Sequence, residues 1–223
     1  REKIYLVVTE LNQPFGTMDC IAAESAITAL RFEFSRQYAV TELEKKFQND
    51  IIHNILNGKI HSMGELQKNT SLLGVDINGS YRVIVFGMTN ESMARGDFKA
   101  KVKDIDVLSD LIRSRISKAK IHNDLDKIVV IQEVEREQTQ EEYRKSIKKI
   151  AEQVQADVAR YNKYLKIKAG AGRVVDGIIN LPESFKEANE AFMFVDVAGE
   201  TPEDGGPQVM LFAPALILRY LLY

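Results

Sequence analysis

Few side chains in this sequence combine a reactive type with a useful spacing. The three histidines, His53, His61 and His122, lie far apart and show no close ligand or catalytic spacing, although distant residues can meet in a fold. They read as ordinary surface or half-buried histidines. Gly170–Ala171–Gly172–Arg173 could be taken for a phosphate-cradling loop, but it lacks the lysine of a P-loop and the full glycine spacing of a dinucleotide site. Close packing of a strand on a helix explains its glycines better. Asp124 and Asp126 fall in a short polar stretch and read as turn residues. The basic clusters Arg113–Lys120 and Arg144–Lys149 read as lying on helices whose other faces are apolar, so solvated faces explain them without nucleic acid. Cys20 is the one cysteine and cannot form an internal disulfide, which fits a reducing compartment without requiring one.

The elements that must position these residues follow from periodicity. With 45% apolar residues in 223, the chain has ample material for a core. Its net charge of −2 lacks the basic excess of a surface that neutralises several phosphates. No apolar run approaches the ~20 residues needed to span a bilayer, and no signal peptide opens the chain. A cytoplasmic protein is expected. The first residue is Arg1, and the last residues, LFAPALILRYLLY, sit inside an apolar helical pattern; both ends look cut from something longer.

Ile4–Val8 reads as a short strand. Thr17 to Asn57 contains neither proline nor glycine, and Ile27, Leu30, Phe34, Tyr38, Leu43, Phe47, Ile51 and Ile55 recur mostly at three and four residues. This predicts one long helix, or two nearly continuous ones, capped by Gly58. Forty helical residues would reach ~60 Å. Such a helix either packs on its own domain or pairs with a copy of itself, and pairing is favoured because no nearby segment offers so long a covering layer. Ser62 and Glu65 have capping-box spacing for a short helix. Tyr81–Phe86 reads as a strand, and Ile105, Leu108, Ile112 and Ile116 as a helical stripe. Lys118–His122 and Lys127–Val134 form a hairpin around Asn123–Asp126. Glu141–Asn162 is the cleanest helix, Tyr164–Ala171 a strand, the segment after Asn180 a helix with Pro182 in its first turn, and Val209–Phe212 a last strand. The fold class is α/β of the α+β kind: a mixed or antiparallel sheet with helices mainly on one face. The loop Gly199–Pro207 is a surface connection.

The run IKAGAGRVVDGIINLPESFKEANEAF resembles the end of the GGDEF-like middle domain of PucR/CdaR-type bacterial transcriptional regulators, through Gly170, Gly172, Arg173, Ser184, Glu187, Ala188 and Ala191. "AAESAITAL", "AVTELEKKFQNDIIHNILNG" and "LLGVDINGSYRVIVF" resemble earlier parts of the same regulators, in the same order. The resemblance implies a palm-type domain at 61–223, preceded at 1–60 by the end of a sensor region and a linker or dimerisation helix. A catalytic GGDEF cyclase carries acids at the end of its first strand and in its hairpin turn to hold two magnesium ions, and glycines in that turn to admit the nucleotide. Here the strand ends Phe86–Gly87–Met88–Thr89 without an acid, and the turn, Asn123–Asp124–Leu125–Asp126, has lost its glycines. No catalytic residue, metal or cofactor is therefore expected. The expected role is dimerisation and signal relay to a helix-turn-helix lying outside this chain, through which alone DNA would be read. Ile27, Leu30 and Phe34 are the candidate dimer contacts of a homodimer. A small-molecule effector of unknown identity would fit the same reading. The rivals are a small-molecule or nucleotide-sensing domain and an active nucleotidyl cyclase.

Overall fold

The computed structural model describes residues 5, 7–9, 14, 16–60, 62–89, 98–116, 118–124, 126–135, 140–198 and 206–212, with the side chains of 98–101, 140 and 196–198 excepted. The chain divides into two compact units, Arg1–Phe47 and Gln48–Tyr223. His61, the Arg95–Gly96 loop, most of the Gly199–Pro207 loop and the apolar pattern from 213 onward lie outside the described residues. Of the strand expected at Ile4–Val8, the described residues Tyr5, Val7 and Val8 are exposed and belong to no strand.

The predicted long helix is present as α1, Thr17–Leu56. At its start the Asp19 carboxylate accepts the Gly16 N–H at 2.9 Å, satisfying a backbone donor before the first turn. At its end Gly58 adopts a left-handed φ of 64°, and Lys59 N–H donates to Asn54 C=O while Gly58 N–H donates to Ile55 C=O. This closes the last carbonyls in a Schellman motif, and only glycine takes that φ without strain. Within the first unit, Glu33–Arg36 and Glu42–Lys45 pair one turn apart on the helix surface. The apolar stripe does not keep one face. The five-residue step from Tyr38 to Leu43 rotates ~140° beyond a full turn at ~100° per residue, so Leu43 and Phe47 project away from the Ile27–Leu30–Phe34–Tyr38 face.

The second unit begins with the last turns of α1. Next comes α2, Met63–Leu73, whose first-turn Glu65 N–H donates to the Ser62 hydroxyl as the spacing predicts. β1 follows at Ser80–Met88, then α3 at Phe98–Arg115, the hairpin β2 Ala119–Asn123 and β3 Lys127–Glu133, and α4 at Gln140–Tyr161. β4 spans Ile167–Ala171, shorter than the Tyr164 start expected, and leads into a two-residue strand β5, Val175–Asp176, which the sequence did not reveal. A single 3₁₀ turn, Ile178–Asn180, runs into α5, Leu181–Ala198, and β6 occupies Gln208–Leu211.

Among the described residues the six strands form one mixed sheet in the order β2-β3-β1-β4-β6, with β5 beside the start of β1. All pairings are antiparallel except β4 with β6, which is parallel. The α+β class and the mixed sheet agree with expectation. The placement of the helices does not: they cover both faces rather than mainly one. On one face Ile84, Phe86, Met88, Ile128 and Val130 pack with Ile105, Leu108 and Ile112 of α3 and Ile147, Val154 and Val158 of α4. On the other, Tyr81, Val83, Val85, Val129 and Ile131 pack with Leu66 and Leu73 of α2, Ala188 and Phe192 of α5, and Ile51, Ile52, Ile55 and Leu56 of α1. Those last turns of α1, expected from the sequence to be linker, belong to this core. Buried on both faces, β1 and β3 read as continuous apolar runs instead of alternating ones.

Candidate functional site

The signature residues around the glycines converge into a clamp between β1, β4 and α5. A Cβ on Gly170 would collide with the backbone nitrogen of Phe192 and the carbonyl of Ala188, and one on Gly172 with the Ser184 carbonyl. The glycines are there because α5 lies directly on the strand, as the close-packing reading expects. Regular β1–β4 pairing stops at Ile84–Ala171, leaving Val83 between β4 and β5. There the Gly172 N–H donates to Val83 C=O, and the Ser184 hydroxyl, fully buried, accepts the Val83 N–H at 3.0 Å and donates to Arg173 C=O at 2.7 Å. Glu187 accepts the Arg173 N–H at 2.9 Å and pairs with its guanidinium at 3.1 Å, while Glu183 takes the other side at 2.7 Å. Backbone groups that would have cradled a phosphate are consumed inside the protein.

The corner where a palm-type cyclase would do its chemistry lies at the other end of β1. The end of that strand and the β2–β3 hairpin do meet: Gly87 stands opposite Lys127 on β3 and opposite Lys168 on β4. The hairpin closes tightly, with backbone hydrogen bonds in both directions between Asp124 and Lys127, and Asp124 and Asp126 are exposed, as their reading as turn residues predicts. Above Gly87 lies the ring of Phe192, whose Cζ would be 2.7 Å from a Cβ at that position. The ammonium groups of Lys168 and Lys127 stand 4.5 and 5.5 Å from the ring centroid. A divalent ion here would meet two ammonium groups and an aromatic ring rather than converging carboxylates, so the corner does not fit the two magnesium ions of a cyclase. Among the described residues, no group of three or more His, Cys, Asp or Glu side chains is placed to hold a metal.

Two further arrangements were not legible from spacing. Arg82, 1% exposed, is the one charged residue of the buried strand β1. Its guanidinium donates to Gln132 Oε1 and to the Ser146 hydroxyl and lies 5.1 Å from the Tyr143 ring, while Nη1 has no partner. Burial lowers its pKa from the usual arginine value. The Tyr143 hydroxyl donates to Gly172 C=O, and burial, eased by Arg82 and reinforced by Glu187, pushes its pKa up to about 12. The lone charge in SYRVIVFGM was the available signal. The second arrangement brings together His53 of α1 and His122 of β2, with ring centroids 5.8 Å apart.

A concavity of about 270 Å³ is lined by Met63, Leu66, Ile77, Asn78, Asp176, Gly177 and Ile179, with Asp176 accepting the Ser80 hydroxyl at 2.7 Å. The expected dimer contacts Ile27, Leu30 and Phe34 are 42, 41 and 41% exposed on α1. Arg113, Arg144, Lys145, Lys148 and Lys149 lie on exposed faces of α3 and α4, as expected, but Lys118 stands in the turn after α3 and Lys120 is half-buried on β2, and Arg115 binds Asp157 at 2.6 and 2.9 Å. No helix among the described residues is long and apolar enough to cross a membrane.

Comparison with known proteins bears on the second unit. No curated protein matches the sequence. The chain is similar to the solved active GGEEF domain of a diguanylate cyclase from Vibrio cholerae, at 14% identity and a TM-score of 0.43, over 66% of this chain and 89% of that one. The family model for the GGDEF-like domain matches residues 57–193, more than half of the chain. With five of the six strands, the strand-end and hairpin corner, and the glycine clamp inside that span, the chain belongs to the GGDEF-like domain family.

Proposed function

We propose that this chain is a non-catalytic GGDEF-like domain with its preceding helix, acting in a cytoplasmic PucR/CdaR-type transcriptional regulator as the unit that dimerises and relays a signal. The observation that carries the non-catalytic part is the filled corner. β1 ends without an acid, the hairpin turn lacks glycines, and Phe192 with Lys127 and Lys168 occupies the space over Gly87. Purified protein given GTP and magnesium is expected to yield no cyclic dinucleotide; magnesium-dependent turnover abolished by Asp124→Asn would overturn the reading.

Dimerisation through Ile27, Leu30 and Phe34 is supported by their partial exposure along one face of a 40-residue helix. Each such side chain gains ~1.5–3 kcal/mol on full burial. With a net charge of −2 and basic residues dispersed over solvated helix faces, DNA reading is assigned to a helix-turn-helix outside this chain. Duplex DNA at physiological salt should not bind this chain alone with nanomolar, sequence-selective affinity. As a small-molecule or nucleotide sensor the chain has less support, because its concavity is smaller than the ~300–1,000 Å³ of ordinary ligand sites and its one carboxylate, Asp176, is already engaged by Ser80.

A further inference from the structure

We propose that His53 and His122 form a proton-sensitive latch that ties the last turns of α1 to β2, the edge strand of the sheet. The latch is independent of the proposed regulatory role. α1 enters the second unit through Ile51, Ile52, Ile55 and Leu56, all buried beneath the sheet. His53 sits on the same turns but is exposed, and its ring meets that of His122 at 5.8 Å with a 50° tilt. His122 lies half-buried on β2, opposite Val129 of β3, and its Nδ1 is enclosed without a hydrogen-bond partner.

The enclosed nitrogen fixes the cost of protonation. In the neutral ring with its proton on Nε2, Nδ1 is merely an unfilled acceptor. A second proton there creates a buried donor with nothing to receive it and a charge beside another imidazole. The charged and titratable groups on this side are Asp50 and His53 on α1, Lys120 on β2, Asp124 in the hairpin turn, and Lys127 and Glu133 on β3. Asp50 and Asp124 favour the imidazolium, but burial first and His53 second outweigh them and lower the His122 pKa. A histidine whose folded pKa is depressed binds fewer protons when docked than when released. Docking is therefore unpenalised above the ordinary histidine value of about 6.5 and weakens as the pH falls from there toward the depressed folded value. Acid loosens the end of α1 from β2.

The test titrates the three imidazoles of the full chain by NMR from pH 8 to 5 in a chelating buffer, assigned with His53→Asn, His61→Asn and His122→Asn. It also follows amide hydrogen exchange of residues 51–57 at pH 7.5 and 5.5, corrected for intrinsic rates. His122 should titrate below about 6.5. The α1 amides should lose protection in acid, by up to about tenfold for each unit separating the docked and released pKa values. His122→Phe should remove that acid effect. His53→Asn changes only an exposed residue, so the fold is retained, and it should move the His122 midpoint upward. A His122 midpoint that is ordinary and indifferent to His53→Asn, or an acid effect that survives in His122→Phe, would refute the latch.

Discussion

Phe192 stands where residue 87 would carry a side chain: its ring carbon Cζ lies 2.7 Å from the Cβ that any residue other than glycine would place there. The aromatic ring and the bare strand end are one packing solution, shared by α5 and β1. Gly87→Ala should therefore cost ~1–3 kcal/mol through overpacking. Phe192→Leu, which shortens the ring end, should cost less than a full truncation and relieve part of the alanine penalty. A denaturation double-mutant cycle measures the coupling, and simple additivity of the two changes would contradict the contact.

Ser184 completes the sheet where β4 leaves β1. Ser184→Ala would strand a Val83 N–H and an Arg173 carbonyl with no replacement inside the clamp. The expected loss is ~1–3 kcal/mol in urea unfolding, with unchanged secondary structure. A loss below ~0.5 kcal/mol would mean that these groups find other partners.

Replacing Leu30 and Phe34 together by glutamate should shift the chain toward monomer in sedimentation. The unfolding transition of the second unit should persist, since among the described residues its core draws on Ile51 and those after it. A double variant that remains dimeric locates the interface elsewhere.

Arg115 joins α3 to α4 through Asp157, whose carboxyl it holds below the ordinary aspartate value by hydrogen bonding. A depressed carboxylate pKa contributes stability that is fully present above the unfolded value of about 3.9 and is lost as the pH falls through the folded value. The stability gap between wild type and Arg115→Met should thus be constant near neutrality and close in strong acid. A gap that stays constant down through the folded pKa of Asp157 would show that packing of the arginine stem, not the ion pair, carries the effect.

Much of the fold was legible because local rules and tertiary structure agree. The absence of glycine and proline from Thr17 to Asn57, the Gly58 cap, the Ser62–Glu65 cap and the four-and-three stripe of α4 each depend on neighbours within one or two turns. The hairpin around Asp124–Lys127 is equally local. The signature of Gly170, Gly172, Ser184 and Glu187 was visible as a pattern, and the close packing of helix on strand that its glycines suggested is present in the structure.

What the sequence determined by itself was the kind and order of the main helices and strands from Thr17 onward, though not the short β5, together with the family signature and the missing strand-end acid. Only the tertiary structure decided which faces those elements cover. Helices lie on both sides of the sheet because Ile51, Ile52, Ile55 and Leu56 close a second core with α2 and α5, and periodicity states that a helix has an apolar face without naming its partner. The same limit hid Phe192 over Gly87, Ser184 under Val83, and His53 against His122. Each of these contacts joins residues 69 or more positions apart, and such meetings are set by how layers pack, which no local spacing encodes.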